Sequence, residues 1–416
     1  MAVVDTGRGL LQRLGSLRGR SRHAPVDQVP VATGARWSSE RLFFSGDDFF
    51  DELIAEIAKA RYSVTIETYI FADDAVGRRM EEALAEAAAR GLVVRLMVDG
   101  WGAGPWAVSR AHQLAARDVE VRVYHPLPFL FTPKGAALSR KSRALGYLRA
   151  INRRDHRKVS IIDRRIAFVG SINVDGCHTC TVAAENCWRD TVARVEGGAV
   201  WELEKATEHA WRRSLRIGRP RLRTPLARRP RRSREQPAGL VRLNNRMRLR
   251  EFWYRELVRR IRWAERRVLV TNAYFVPNGQ LLRALAAAAR AGRDVRVLVP
   301  SKSDVAFMPW VAAAFYLALL KTGVRVFEYQ PCILHAKTMV IDDWISVGSS
   351  NLNTRSLKHD LEVDVVLTSP ASLAAMVAQF EKDLEKSVEI TASVLQARPW
   401  WQRTIARIAL RLRYWM

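Results

Sequence analysis

Hydrophobic and polar positions follow one pattern twice along the chain. The run from Val64 to Phe71 alternates β-branched and polar side chains and predicts a strand. Apolar positions at helical spacing predict a helix over Gly77 to Arg90. Val93 to Asp99 and Val119 to Tyr124 then read as two further strands. The same order returns later, with strands at Val268 to Val276, Asp294 to Pro300 and Gly323 to Tyr329, and a helix over Gln280 to Ala291. Strands alternating with helices predict an α/β fold of two pseudo-symmetric halves, each with a mixed, mostly parallel sheet flanked by helices.

The pattern breaks between the copies. Arg212 to Arg234 carries many arginines, no acidic residue, and prolines at 220, 225 and 230, which suits an exposed linker. The organisation expected is a basic N-terminal extension (1–40), a first half (41–211), a linker (212–237), a second half (238–395) and a C-terminal segment (396–416). The longest apolar run, Met308 to Leu320, falls short of the ~18 residues that span a bilayer and predicts a buried helix. The N-terminus has no apolar core of a signal peptide, so a cytoplasmic origin is expected.

Charge adds a partner to this picture. Lys and Arg number 68 against 42 Asp and Glu, a formal net charge of +26. Such an excess points to a polyanion, either nucleic acid or an anionic membrane surface. Cys177, Cys180 and Cys187 cluster, but His178 is poorly placed as a fourth metal ligand, and reduced cysteines near a loop are expected.

Each copy ends in the same short signature. The first is His156-Arg-Lys158 with Asp163, followed by Gly170-Ser171-Ile-Asn173. The second is His335-Ala-Lys337 with Asp342, followed by Gly348-Ser349-Ser-Asn351. In a strand, residues i and i+2 share a face, so the His and Lys of each copy should point at one ligand. Ser171, Asn173, Ser349 and Asn351 could bring hydroxyls and amides to phosphate oxygens there. The second signature is one residue shorter after Asp342, so either Asp342 or Asp343 could fill the aspartate's role.

This pair of H-x-K-x4-D signatures resembles the HKD motifs of the phospholipase D superfamily, over roughly residues 41–387. Within it the chain is similar to bacterial cardiolipin synthases of the type lacking transmembrane helices. That similarity rests on Glu67 to Phe71, Asn152 to Lys158, Trp188 to Thr191, Arg194 to Gly197, Tyr274 to Pro277 and Leu334 to Lys337. The resemblance implies one active site at the interface of the halves, with His156 as nucleophile and His335 as acid/base. It implies that Lys158 and Lys337 bind the non-bridging phosphate oxygens, and that an acidic residue downstream of each motif, Asp190 and Glu362, orients a histidine. Asp163 and Asp342 belong to the catalytic signature but are expected to brace loops. No cofactor or metal is required, because the lysines supply positive charge.

The superfamily includes nucleases, so substrate class has to come from elsewhere. His125 to Phe131 is apolar and adjoins the basic stretch Lys134 to Arg157, which suits a head-group boundary. In the C-terminal segment, Trp401, Ile405, Ile408, Leu412 and Trp415 share one helical face, and Arg403, Arg407 and Arg411 another. That is the composition of an interfacial helix. No interleaved aromatic platform for bases is evident, so nucleic acid is the less favoured partner. The expected activity is cardiolipin synthesis from phosphatidylglycerol by a peripheral enzyme on the cytoplasmic membrane face. Hydrolytic phospholipase D and HKD nuclease are the alternatives, and oligomeric state stays open.

Overall fold

The computed structural model describes residues 36–126, 153–218, 239–397 and 399. Four expected features lie largely or wholly outside these residues: the N-terminal extension (1–40), the apolar and basic stretch after Pro126, the linker, and the amphipathic C-terminal segment.

The first half holds strands β1 (Trp37–Phe43), β2 (Ser63–Thr68), β3 (Val93–Asp99), β4 (Glu120–Tyr124), β5 (Val159–Ile162), β6 (Ile166–Gly170), β7 (Val192–Gly197) and β8 (Leu215–Arg216). The second holds β9 (Val241–Leu243), β10 (Arg267–Asn272), β11 (Asp294–Pro300), β12 (Arg325–Tyr329), β13 (Lys337–Ile341), β14 (Trp344–Gly348), β15 (Val363–Leu367) and β16 (Ser387–Ile390). The sheet orders are β1-β7-β6-β5-β2-β3-β4-β8 and, read in the same sense, β9-β15-β14-β13-β10-β11-β12-β16. The two halves therefore share one topology.

The strand directions differ from expectation. Parallel pairing is confined to β2-β3-β4 and β10-β11-β12, and the other neighbours in each sheet run antiparallel. Both sheets are mixed but mostly antiparallel. Parallel neighbours need a long crossover, and the expected helices supply it only between the early strands of each half. After each H-x-K signature a tight turn joins β5 to β6 and β13 to β14, and longer segments lead on to β7 and β15, all pairing antiparallel.

The helices start where local chemistry stops the strand pattern. Asp74 caps the helix Ala75–Ala89 by accepting from Gly77 N, and Asn278 caps Gly279–Arg290 by accepting from Gln280 and Leu281 N. Each cap satisfies an amide that the first helical turn leaves without a partner. Both helices lie within two residues of the expected positions. The apolar helix Met308–Leu320 buries one face, with Val311, Phe315, Tyr316 and Leu319, while Leu317 is 51% exposed. It covers a sheet and is not fully enclosed.

One face of each sheet is covered by helices and packs into that half's own core. The other faces meet in a shared core, where Val159, Ile161, Val169 and Val195 of the first half pack with Val340, Ile345, Val347 and Val365 of the second. This apolar contact locks the sheets together and sets the two signatures edge to edge. Trp37 Nε1 donates across it to the Val366 carbonyl at 2.8 Å.

Candidate active site

Each histidine sits just before a strand of the shared core, where the other half pins its backbone. His156 N donates to the Leu361 carbonyl at 3.0 Å, and His335 N donates to the Arg189 carbonyl at 2.8 Å. Leu361 and Arg189 directly precede Glu362 and Asp190. The backbone register therefore delivers each carboxylate to the histidine of the opposite half. His156 Nδ1 donates to Glu362 Oε1 at 3.1 Å, and His335 Nδ1 donates to Asp190 Oδ1 at 2.9 Å. With Nδ1 held, the other ring nitrogen is left for chemistry.

Both rings border one cleft of about 380 Å³, lined also by Tyr69, Trp101, Asn173, Trp188, Tyr274, Asp304, Asn351 and Arg355. Tyr69 packs against His156, and Trp188 and Tyr274 against His335. The Asn173 side-chain oxygen accepts from Ile70 N at 3.2 Å, whereas the buried Asn351 oxygen has no hydrogen-bond partner among the described residues.

Lys158 and Lys337 are buried, and each ammonium donates to the carbonyl of the histidine two residues earlier, Lys158 at 2.7 Å. Burial lowers Lys158 to about 7 and Lys337 to about 8, against the pull of Glu362 and Asp190. His156 lies well below the usual imidazole value, because burial and the two lysines oppose its charge. Burial likewise lowers His335, with Lys337 adding to it. The carboxylates diverge. Burial raises Glu362 to about 7, while Asp190, despite burial, is held well below the carboxylate range by its two imidazole partners.

Two expectations change. Ser171 and Ser349 are fully buried and do not border the cleft. Ser171 Oγ donates to the Thr191 carbonyl at 3.2 Å, and Ser349 Oγ donates to Glu362 Oε2. They brace the segment that carries each carboxylate. The preceding glycines explain why these segments lie so close: a Cβ on Gly170 or Gly348 would overlap the Thr191 or Val363 carbonyl.

The signature aspartates also stand outside the site, at the far ends of β5 and β13. Asp163 accepts from the amides of Arg61, Tyr62 and Ser63, and Asp342 from those of Glu265, Arg266 and Arg267. They hold turns and touch no reacting group. Asp342, with φ 54°, fills this role, whereas Asp343 forms an ion pair with Arg266 at the surface. The cysteine expectation is overturned as well: Cys180 and Cys187 form a disulfide, leaving Cys177 and Cys332 free.

Sequence reasoning missed a buried ionic frame beneath His156. Arg154 Nη2 donates to Asp99 at 2.7 Å, and Arg157 Nη2 bridges Asp155 at 2.9 Å and Glu67 at 2.6 Å. Asp155 N also donates to Asp99 Oδ2 at 2.9 Å. These groups anchor the segment that presents His156 to the strands β2 and β3. Glu67 and Asp99 had a signal, since a carboxylate at an apolar strand position needs a buried cation.

A profile described as "Cardiolipin synthase, PLD-like domain" matches residues 53–196 and 257–384. Cardiolipin synthase B of Salmonella typhi is 31% identical over 387 residues, covering 89% of this chain and 86% of that protein. The chain belongs to the phospholipase D-like cardiolipin synthase family. A cardiolipin synthase of a Geobacillus species is 29% identical over 394 residues, covering 92% of this chain and 73% of that one. Among solved structures, phosphatidylserine synthase of Haemophilus influenzae superposes with a TM-score of 0.65 at 12% identity, covering 93% of this chain and 97% of that one. That likeness concerns the fold. Family membership makes the protein an enzyme of the phosphatidyltransferase type.

Proposed function

We propose that the protein is a cardiolipin synthase that transfers a phosphatidyl group from one phosphatidylglycerol to a hydroxyl of another, releasing glycerol. The observation that carries this reading is the pair of histidines on one cleft, each held at Nδ1 by a carboxylate from the opposite half. Such a pair suits in-line displacement, with one imidazole on each side of phosphorus.

His156 Nε2 attacks phosphorus and forms a P–N bond as the P–O bond to the leaving glycerol breaks. His335 gives its proton to that oxygen. A hydroxyl of the second phosphatidylglycerol then loses its proton to His335. Its oxygen bonds to phosphorus as the P–N bond breaks, which frees His156. Lys158, Lys337 and the amides of Asn173 and Asn351 stabilise the equatorial oxygens.

The enzyme would work at an anionic membrane surface. Its charge of +26 suits one, and Trp101 at the cleft and nearby Phe307 are 55% and 44% exposed. No helix of the described residues is long and apolar enough to cross a membrane, which fits peripheral association. We place the site on the cytoplasmic face. A disulfide is uncommon in a reducing compartment, so protease protection in right-side-out and inverted vesicles is the test of that placement.

Purified protein with labelled phosphatidylglycerol vesicles should produce labelled cardiolipin, and His156→Ala should not. Label appearing only in phosphatidic acid would replace the reading with a hydrolase. Cleavage of DNA with no lipid product would replace it with a nuclease.

A further inference from the structure

His178 lies in the short 3-10 turn Gly176–His178 and is 1% exposed. Its Nδ1 lies 2.7 Å from Asp190 Oδ2, the oxygen not taken by His335. On its other side, Asn173 N donates into Nε2 at 3.3 Å. An imidazole nitrogen that accepts a hydrogen bond carries no proton, so the proton sits on Nδ1 and points at Asp190. The Trp188 ring packs against both His178 and His335.

The pseudo-symmetry gives this contact a counterpart. Residue 178 follows Gly170 at the same spacing as residue 356 follows Gly348. Ser356 Oγ donates to Glu362 Oε1 at 2.7 Å, so the two equivalent positions hold the two histidine-orienting carboxylates. The nitrogens of His178 and His335 and an Asp190 oxygen lie within 4.8 Å of one another, close enough for a metal. Their spacing is already explained by two hydrogen bonds, one to each oxygen of Asp190.

We propose that His178 is a positioning residue for His335: by engaging Asp190 Oδ2 it fixes the carboxylate plane, so that Oδ1 holds His335 with Nε2 towards the cleft. This rests on His335 acting as the acid/base of the proposed transfer. Other titratable groups facing His335 are Lys337 at the start of the strand that follows it, Asp304 and Tyr274 after β11 and β10, and Asp190 itself.

The test compares His178→Leu with His178→Asn, whose amide nitrogen can stand near the Nδ1 position. Loss of the donor in His178→Leu should lower kcat on the order of tenfold with KM unchanged. It should also move the alkaline limb of kcat upward, because a carboxylate with one donor fewer is more basic and strengthens the proton affinity of the His335–Asp190 pair. His178→Asn should restore most of the rate and the wild-type limb. Equal rate losses in both variants with the limb unmoved would reduce His178 to a packing residue.

¹⁵N-histidine spectra of the wild type give an independent readout, needed if His178→Leu does not fold. They should show His178 protonated at Nδ1, and Asp190→Asn should shift the signals of both His178 and His335. A proton on Nε2 of His178 overturns the proposal. Wild-type protein without transferase activity removes the functional reading instead, and the spectra still decide the Asp190 contact.

Discussion

Asp190 in the first half of the chain holds His335 in the second, with Oδ1 accepting from Nδ1 at 2.9 Å. Glu362 does the same for His156 in the reverse direction. Neither half orients its own motif histidine, since His156 and His335 each take their carboxylate from the other half, so the site exists only where the two sheets meet.

The crossing predicts which variant damages which histidine. Asp190→Asn should impair proton transfer at His335, and Glu362→Gln should slow attack by His156. By analogy with loss of the carboxylate in a serine protease triad, kcat should fall by ~10⁴. Rapid-quench separation of the steps checks it: Glu362→Gln should suppress the covalent lipid–enzyme burst. An undiminished burst in that variant would show that Glu362 does not serve His156.

The lysines predict a pH dependence. In the free enzyme Lys158 and Lys337 lose charge as pH rises through about 7 and about 8. kcat/KM reports free-enzyme ionisations, so it should fall as pH rises through that window. A bound phosphodiester favours the charged lysines, so kcat should hold to higher pH. A kcat/KM that stays flat up to ~10, the ordinary lysine range, would mean the ammonium groups are not desolvated.

Buried hydroxyls and cleft amides should separate kinetically. Ser349→Ala removes a donor to Glu362, so kcat should fall while KM for lipid stays near the wild-type value. Asn351→Ala removes a group that borders the cleft, and should weaken kcat/KM by up to ~100-fold if its amide meets the developing charge. A raised KM in Ser349→Ala with normal kcat would return Ser349 to the phosphate.

The turn aspartates should matter for stability. Asp163 accepts three amide hydrogens and sits at φ 49°, a backbone region that Asp and Asn tolerate better than Ala. Asp163→Ala should cost about 2–3 kcal/mol, read from urea unfolding, and Asp163→Asn less. Turnover per folded molecule should change little in either.

By itself the sequence determined the repeat, the two signatures and the helices that Asp74 and Asn278 begin. Each is written locally, in hydrophobic periodicity, in a cap or in residue spacing. It also pointed to Asp163 and Asp342 as braces. Only the tertiary structure decided the rest. Strand periodicity says which face is buried but not which neighbour lies alongside, so it does not reveal that β5 to β7 and β13 to β15 pair antiparallel. The Cys180–Cys187 disulfide and the burial of Ser171 and Ser349 depend on how segments fold back onto one another. His335 and Asp190 are 145 residues apart, and His156 and Glu362 are 206 apart. No local pattern spans such a distance. Those pairs form because the apolar faces of the two sheets pack together and carry each carboxylate across to the opposite histidine.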